Sequence, residues 1–143
     1  MAKKKHYTWQ WVNEQIDKIG EKLEGNGKPE FISGIPRGGL IPAVLMSHKF
    51  DIPFIGLEAA KTLPGNLKKK VLVIDDIADS GNTLAQIERH NFITATLARR
   101  HSSTFNPLYV GTDINDEHWL VFPWENKSAK TIQDYLDLSL IHI

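Results

Sequence analysis

The stretch at residues 71–84 constrains the fold of this chain more than any other, because an apolar run is followed there by three acids and then by Ser-Gly-Asn-Thr. The four residues 71–74 are apolar, three of them β-branched, which is typical of a buried strand. Residues 84–90 have helical character. The pattern therefore predicts a strand, an acidic turn, a loop and a helix.

This order of elements suits a phosphorylated sugar. The N-terminus of a helix offers unpaired N–H groups and a positive dipole end, both of which attract phosphate. Ser80 and Thr83 add hydroxyl groups, and Gly81 lets the backbone approach a ligand closely. Asp75 and Asp76 would repel phosphate, but they can accept hydrogen bonds from sugar hydroxyls or hold a hydrated Mg²⁺. Together these residues predict a site for ribose 5-phosphate.

Composition limits the class of protein. The chain has 143 residues, which favours a single domain over residues 1–143. Lys+Arg and Asp+Glu are both 17, so nothing indicates a nucleic acid or a membrane surface as partner. Cysteine is absent, which excludes disulfides, zinc–thiolate sites and thiol catalysis. The basic start has no apolar segment after it, so we expect a cytoplasmic protein with residues 3–5 in a solvated tail.

A second junction of strand, loop and helix lies at residues 31–49. Residues 31–33 predict a strand, Gly-Ile-Pro-Arg-Gly-Gly follows at 34–39, and an apolar helix is expected from 40 to about 49. One arginine among glycines places a positive charge beside exposed N–H groups, as an anion site for pyrophosphate would. Alone, the pattern would better fit a glycine-rich turn with a surface arginine; beside the acidic motif at 71–84, the anion site is favoured.

The remaining pattern predicts an α/β fold with a central, mainly parallel sheet flanked by helices. A helix with Thr8 as N-cap carries an apolar stripe and ends near residues 25–27. Further strands are expected at 52–57, 92–97 and 108–111, and the segment 58–70 is polar.

Three motifs resemble those of the type I phosphoribosyltransferases, which use phosphoribosyl pyrophosphate (PRPP). Residues 71–84 match the family's PRPP signature, and 37–42 read like the pyrophosphate loop of the bacterial xanthine-guanine enzymes. Residues 119–125, Trp-Leu-Val-Phe-Pro-Trp-Glu, resemble the C-terminal hood of those enzymes. The resemblance implies a core at about 8–112 and a hood, the part that covers the base, at about 113–143.

The resemblance implies transfer of phosphoribose from PRPP to a purine base such as guanine, xanthine or hypoxanthine. The products would be a nucleoside 5′-monophosphate and pyrophosphate. The resemblance also implies Mg²⁺ as the cofactor, a role in purine salvage, and assembly as a homo-oligomer. Asp79 would be the general acid or base at N7 of the base. Asp75 and Asp76 would hold the ribose hydroxyls, with Asp76 on the metal's side. The 5′-phosphate loop would comprise Asp79, Ser80, Gly81, Asn82 and Thr83. The pyrophosphate loop would comprise Pro36, Arg37, Gly38 and Gly39, with a cis peptide between the first two.

On the base side, the resemblance implies that Trp119 stacks on the purine and that the backbone of Leu120 meets its edge. Arg99 or Arg100 stands where the 6-oxopurine enzymes have a lysine that contacts O6 of the base. Trp124 is expected to pack rather than bind, as are Trp9 and Trp11. The segment 58–70 corresponds to a flexible loop that closes over PRPP, but it is shorter here than in the xanthine-guanine enzymes.

Three other interpretations remain open at this point. The chain could be a non-catalytic sensor of PRPP or a nucleotide, which the short segment 58–70 favours. It could be a structural or interaction protein with a vestigial pocket. Within the enzyme class, it could act on a different base, including a pyrimidine.

Overall fold

A four-stranded parallel sheet forms the centre of the molecule, with strand order β2-β3-β4-β5. The structure is a computed structural model that describes residues 3–79 and 81–125. In chain order the elements are β1 (Lys4–His6), α1 (Trp9–Asn26), β2 (Phe31–Gly34), α2 (Leu40–Phe50), α3 (Leu57–Lys61), α4 (Gly65–Lys68), β3 (Val71–Ala78), α5 (Asn82–Glu88), β4 (Ile93–Arg100), β5 (Tyr109–Ile114) and β6 (Trp119–Val121).

Helices cover both faces of this sheet, so the predicted α/β architecture is confirmed. On one face α1 and α2 bury an apolar set that includes Ile16, Met46 and Ile74. On the other face α3 and α5 pack Ala60 and Leu84 into a second apolar cluster with strand β3. Burial on both sides explains why residues 71–74 form an uninterrupted apolar run rather than an alternating one. Among the described residues, no helix has the length and apolar character needed to cross a membrane.

Helix α1 begins as its sequence predicts. The Trp11 N–H donates to Thr8 Oγ1 at 3.0 Å, which satisfies one of the unpaired donors of the first turn. The helix ends at Gly27, whose φ of 89° only glycine adopts without strain. Pro42 lies in the first turn of α2, where its missing N–H costs nothing.

Several predicted boundaries were wrong because pairing with neighbouring strands overrides local pattern. Strand β3 does not stop before the acids but continues to Ala78, since Asp75 pairs with Thr96 and Ile77 with Ala98. Strand β4 likewise runs three residues beyond its predicted end, and β5 reaches Ile114. The helix after the acidic motif begins at Asn82, two residues before the predicted start.

The segment at 52–70 also differs from the prediction. In place of a strand at 52–57 there is a single bridge between Phe54 and Ile32. The polar stretch at 58–70 contains the short helices α3 and α4 instead of an extended loop. Ala60 is fully buried in the second apolar cluster, and Leu57 and Leu63 pack against the same cluster. These three residues hold the segment on the sheet.

The predicted solvated tail at the N-terminus was wrong. Residues Lys4–His6 form β1, which pairs in parallel with β6. The Trp119 N–H donates to the Lys3 carbonyl at 2.8 Å, and the Tyr7 N–H donates to the Val121 carbonyl at 2.9 Å. The side chains of β1 are exposed while its backbone is paired, so charge pattern alone concealed the strand. The predicted C-terminal part of the hood, 126–143, lies outside the described residues.

A cluster of aromatic rings attaches the hood strand β6 to helix α1. Phe122 is only 2% exposed, and its ring stacks on Trp124 with centroids 5.2 Å apart. The ring of Tyr7 lies 5.8 Å from Phe122 and 4.0 Å from Trp11, and Trp9 lies 5.9 Å from Trp124. The packing role predicted for Trp11 and Trp124 is therefore confirmed, whereas Trp9 is 47% exposed and only its ring edge meets the cluster.

Replacing Phe122 tests whether this cluster carries stability. Phe122→Ala is expected to lower the free energy of unfolding by about 3 kcal/mol, because it removes a buried ring from two stacked partners, Tyr7 and Trp124, and from the tilted ring of Trp11. Phe54→Ala is the matched control: that ring is 41% exposed, so its loss should cost about 1 kcal/mol or less. Urea denaturation monitored by circular dichroism measures both. Equal losses of unfolding free energy in the two variants would show that the aromatic cluster stabilises the fold no more than an exposed ring does.

Candidate active site

The predicted binding residues lie at one edge of the sheet. Strands β2, β3 and β4 are parallel, so the segments that leave their carboxyl ends meet at the same edge. These segments are the glycine loop 35–39 after β2, the loop 79–81 after β3, and the turn that begins after Arg100. The structure thus brings together motifs that are far apart in the sequence.

The glycine loop presses directly against the acidic strand. A Cβ atom at Gly38 would lie 2.5 Å from Cγ of Asp76, so only a residue without a side chain fits above this carboxyl group. The Ile35 N–H donates to the Ile74 carbonyl at 3.0 Å, and the Gly39 N–H donates back to the Ile35 carbonyl at 2.8 Å. The loop predicted for pyrophosphate and the carboxylate predicted for ribose and metal are therefore in contact.

The tip of the glycine loop faces solvent at the start of helix α2. Pro36 and Arg37 are exposed, and the peptide bond between them is cis, as expected. Gly39 is the N-cap of α2 and provides no side-chain cap. The Leu40 N–H donates to the Arg37 carbonyl at 3.1 Å, which fixes the arginine at this helix end. An arginine beside an uncapped helix start has the charge and the donors that an anion requires.

Asp76 is the carboxyl group that the surrounding structure perturbs. Burial beneath the glycine loop raises the pKa of Asp76, although its hydrogen bonds oppose that rise and nearby Glu125 adds to it. The Ile77 N–H donates to Asp76 Oδ1 at 2.8 Å, and the Asp76 N–H donates to Asp75 Oδ1 at 2.8 Å. A desolvated carboxylate of this kind is stabilised by a cation placed beside it.

The donor set fits a magnesium ion shared with a substrate. Among residues 3–79 and 81–125, no group of three or more His, Cys, Asp or Glu could hold a metal ion by itself. Magnesium in phosphate-processing sites is usually held by one or two carboxylates, with water and substrate oxygens completing the octahedron. Asp75 and Asp76 supply two adjacent carboxylates on the strand, which matches that mode.

The loop after β3 is tightly enclosed on one side. Gly81 has φ 90°, and a Cβ atom there would lie 2.6 Å from Phe105 Cβ and 2.7 Å from the Phe105 backbone nitrogen. Helix α5 begins at Asn82 without a side-chain cap, and the side chains of Asn82 and Thr83 are exposed. Ser80, a predicted phosphate residue, lies outside the described residues. Sequence reasoning missed Phe105, because a lone aromatic residue in the polar stretch 101–107 carries no signal.

Arg100 joins the acidic motif to the hood. Its Nε donates to Asp79 Oδ1 at 3.0 Å, its Nη1 to the Asp116 carbonyl at 3.0 Å, and its Nη2 to the His118 carbonyl at 2.7 Å. Trp119, which follows directly, is 37% exposed, whereas Leu120 is buried. Asp79, Arg100 and Trp119, all predicted from the sequence, thus belong to one connected group. The contacts with Asp116 and His118 were not predicted.

Arg99 is not part of this group. Its guanidinium donates to Asp113 Oδ1 at 2.8 Å and to Asn106 Oδ1. Successive residues of a strand point to opposite sides, so only one of the two arginines faces Asp79. The sequence left the register between them open, and pairing of Arg99 with Asp113 across β4 and β5 settles which arginine lies where.

Comparison with known proteins gives the family. The family model described as "Phosphoribosyl transferase domain" matches residues 7–129, a range that includes all three motifs. The chain belongs to the phosphoribosyl transferase family. It is 34% identical to a solved purine phosphoribosyltransferase from Pyrococcus horikoshii, with a TM-score of 0.72 over 91% of this chain and 99% of that one.

Two further relatives agree with that assignment. A xanthine-guanine phosphoribosyltransferase from Cereibacter sphaeroides is 26% identical over 145 residues, covering 84% of this chain and 86% of the relative. The solved xanthine-guanine-hypoxanthine phosphoribosyltransferase of Helicobacter pylori is 24% identical and has a TM-score of 0.71, covering 85% of this chain and 93% of that one. The latter likeness supports the fold of the phosphoribosyl transferase family.

A pair of glycine substitutions tests the enclosure of the loop after β3. Gly81→Ala is expected to destabilise the protein by about 3 kcal/mol, since it adds a clash with Phe105 to the strain of a positive φ. Gly27→Ala shares the positive φ, at 89° with ψ 133°, but has no atom within 4 Å of the added carbon, so its cost of about 1–2 kcal/mol comes from backbone strain alone. Thermal unfolding compares them. The enclosure is refuted if both variants lose the same stability.

Proposed function

We propose that this protein transfers phosphoribose from PRPP to a 6-oxopurine base such as guanine, xanthine or hypoxanthine, giving a nucleoside 5′-monophosphate and pyrophosphate. The observation that carries the proposal is the contact between the glycine loop and the acidic end of β3, with Asp79 linked through Arg100 to the exposed Trp119. Membership of the phosphoribosyl transferase family supports PRPP as the donor. The names of the relatives support a purine as the acceptor.

PRPP would span the three segments at the edge of the sheet. The pyrophosphate would lie on the loop formed by Pro36, Arg37, Gly38 and Gly39. The 5′-phosphate would lie on the loop formed by Asp79, Ser80, Gly81, Asn82 and Thr83. The ribose hydroxyls would donate hydrogen bonds to Asp75 and Asp76 between these two anion sites. A bound Mg²⁺ on the Asp76 side would neutralise charge on the pyrophosphate and ribose oxygens and orient them.

The reaction exchanges one bond at the anomeric carbon for another. The C1–O bond to pyrophosphate breaks with both electrons going to the leaving group, and N9 of the purine supplies the pair for the new C1–N bond. Arg37 and the glycine-loop N–H groups stabilise the negative charge that develops on the pyrophosphate. Asp79, whose side chain is 66% exposed, accepts the proton that the base loses from N7.

The base would lie between Asp79 and the hood. Trp119 is exposed enough to stack on one face of a purine, which is the usual way in which aromatic side chains bind flat rings. The backbone around Leu120 would meet the edge that carries the 2-substituent. Arg100, rather than Arg99, borders this base pocket.

Net charge and exposed apolar side chains bear on the partners, location and assembly of the protein. A formal net charge of zero gives no support to a nucleic-acid partner, and we propose a cytoplasmic enzyme of purine salvage. We also propose a homo-oligomer. Val44 on α2 is 42% exposed, and an apolar side chain on the surface of a helix suits contact with a second copy.

A second candidate is a sensor that binds PRPP without transferring its phosphoribose. The observation that favours it is the segment 58–70, which forms two short helices packed on the sheet where the family's flexible loop is expected. Closure over a substrate excludes water and completes many active sites, so a segment held open would bind but not react.

A turnover screen separates the two candidates. Purified protein, PRPP and Mg²⁺ are mixed in turn with guanine, xanthine, hypoxanthine, adenine and uracil, and pyrophosphate release is followed. The transferase releases pyrophosphate with one or more 6-oxopurines and forms the corresponding nucleotide. Release with none of the bases, together with measurable binding of PRPP by calorimetry, establishes the sensor instead.

Substituting Asp79 tests its place in the chemistry. Asp79→Asn is expected to lower kcat by about 100-fold, because the amide cannot accept the base proton. The KM for PRPP should stay within about threefold, since the amide keeps the size and one acceptor of the carboxyl group. Steady-state kinetics measure both constants. An unchanged kcat removes Asp79 from the mechanism.

Substituting Gly38 tests the contact between loop and strand. Gly38→Ala is expected to lower kcat/KM for PRPP by about 100-fold, because the added carbon displaces the Asp76 carboxyl group from the donor's position. Gly25→Ala in helix α1 is the control, with no atom within 4 Å of the added carbon, and its kinetics should match those of the unmodified protein. Equal kinetics for the two variants would mean that this contact has no role in binding PRPP.

A further inference from the structure

The end of strand β4 contains a largely buried arginine whose side chain joins the acidic motif to the hood. Arg100 is the last residue of β4, and its side chain is only 13% exposed. Its Nε binds a carboxylate that follows β3, while Nη1 and Nη2 bind two carbonyl groups that precede β6. One side chain therefore connects two segments that share no backbone pairing in the described part of the chain.

The geometry of these contacts requires an arginine. The guanidinium group is planar, stays charged and holds its donors in a rigid fork, so each partner occupies a fixed direction. Asp79 lies on the Nε side, and the Asp116 and His118 carbonyls lie at the two terminal nitrogens. A lysine could keep the charge next to Asp79, but as a point charge it could not fix all three partners.

The turn that precedes β6, at residues 116–118, is fixed by contacts of its own. The His118 N–H donates to Asp116 Oδ1 at 3.0 Å, and this bond, as the leading cause, lowers the pKa of Asp116. Lys5 Nζ on β1 lies 3.8 Å from the other carboxylate oxygen of Asp116. The carbonyls that Arg100 binds thus belong to a preformed turn, and Trp119 leaves that turn directly into β6.

We propose that Arg100 is a positioning residue that sets the distance between the proton acceptor Asp79 and the stacking platform Trp119, and that it does so without contacting the base. This inference rests on the proposed function of Asp79 and Trp119. The same rigid guanidinium binds the Asp79 carboxylate and the carbonyl of His118, the residue directly before Trp119. The base pocket therefore keeps its width before any substrate arrives.

Kinetic constants distinguish positioning from general loss of structure. Arg100→Met should raise the KM for the base and lower kcat, reducing kcat/KM for the base by about 100-fold, while the KM for PRPP stays within about twofold. Arg100→Lys should recover part of the loss, to about tenfold below the unmodified protein, because it restores the charge beside Asp79. Arg89→Met, a change at an exposed arginine after α5, is the control for loss of one positive charge.

Product binding separates positioning from direct recognition of the base. IMP and AMP differ at C6 of the purine, so the ratio of their dissociation constants reports a contact with O6. If Arg100 only positions its neighbours, Arg100→Met weakens both nucleotides and leaves the ratio unchanged within about threefold. If Arg100 donates to O6, the ratio falls by about 100-fold or more, and the proposal is overturned.

Amide hydrogen exchange tests the connection without relying on turnover. In Arg100→Met, the amides of Trp119 and Tyr7, which hold β1 and β6 together, should exchange at least about tenfold faster, while amides of β3 and β4 keep their protection. Unchanged protection at Trp119 and Tyr7 refutes the connection. If the unmodified protein shows no turnover but Arg100→Met still loses protection at Trp119 and Tyr7, the connection stands and the proposed enzyme is refuted.

Discussion

The contact between Gly38 and the Asp76 carboxyl group is the constraint on which the rest of the site depends. It places a half-buried carboxyl group beneath a glycine loop, where desolvation raises its pKa. Such a group is costly in the absence of a cation and becomes favourable when one is supplied. A metal ion bound with the proposed substrate would stabilise the charged form of this carboxyl group.

The parallel sheet makes this contact possible. Because β2 and β3 are adjacent and run in the same direction, the loop after one strand must pass over the end of the other. Strand β4 extends the same edge and ends in Arg100, which reaches both Asp79 and the hood. The loops and carboxylates proposed to bind PRPP therefore occupy one edge of the sheet, and Arg100 connects that edge to the hood proposed to bind the base.

Local chemistry explains which features could be predicted from the sequence. The acidic motif at 71–84 and the glycine loop at 34–39 are contiguous patterns, so their residue types reveal their role. Strand β1 could not be predicted, because its side chains are exposed and its partner β6 lies near the other end of the chain. The choice between Arg99 and Arg100 depends on strand register, and the place of Phe105 on Gly81 depends on loop packing. Both are properties of the folded chain rather than of a local pattern.

The most direct measurement is a crystal structure of the protein with a 6-oxopurine nucleoside 5′-monophosphate and Mg²⁺. The prediction is that the purine ring stacks on Trp119 with N7 facing Asp79, that the ribose hydroxyls lie on Asp75 and Asp76, and that the phosphate lies on the loop that contains Gly81. A nucleotide bound elsewhere, or one whose phosphate lies away from that loop while its base leaves Trp119 uncovered, would contradict it.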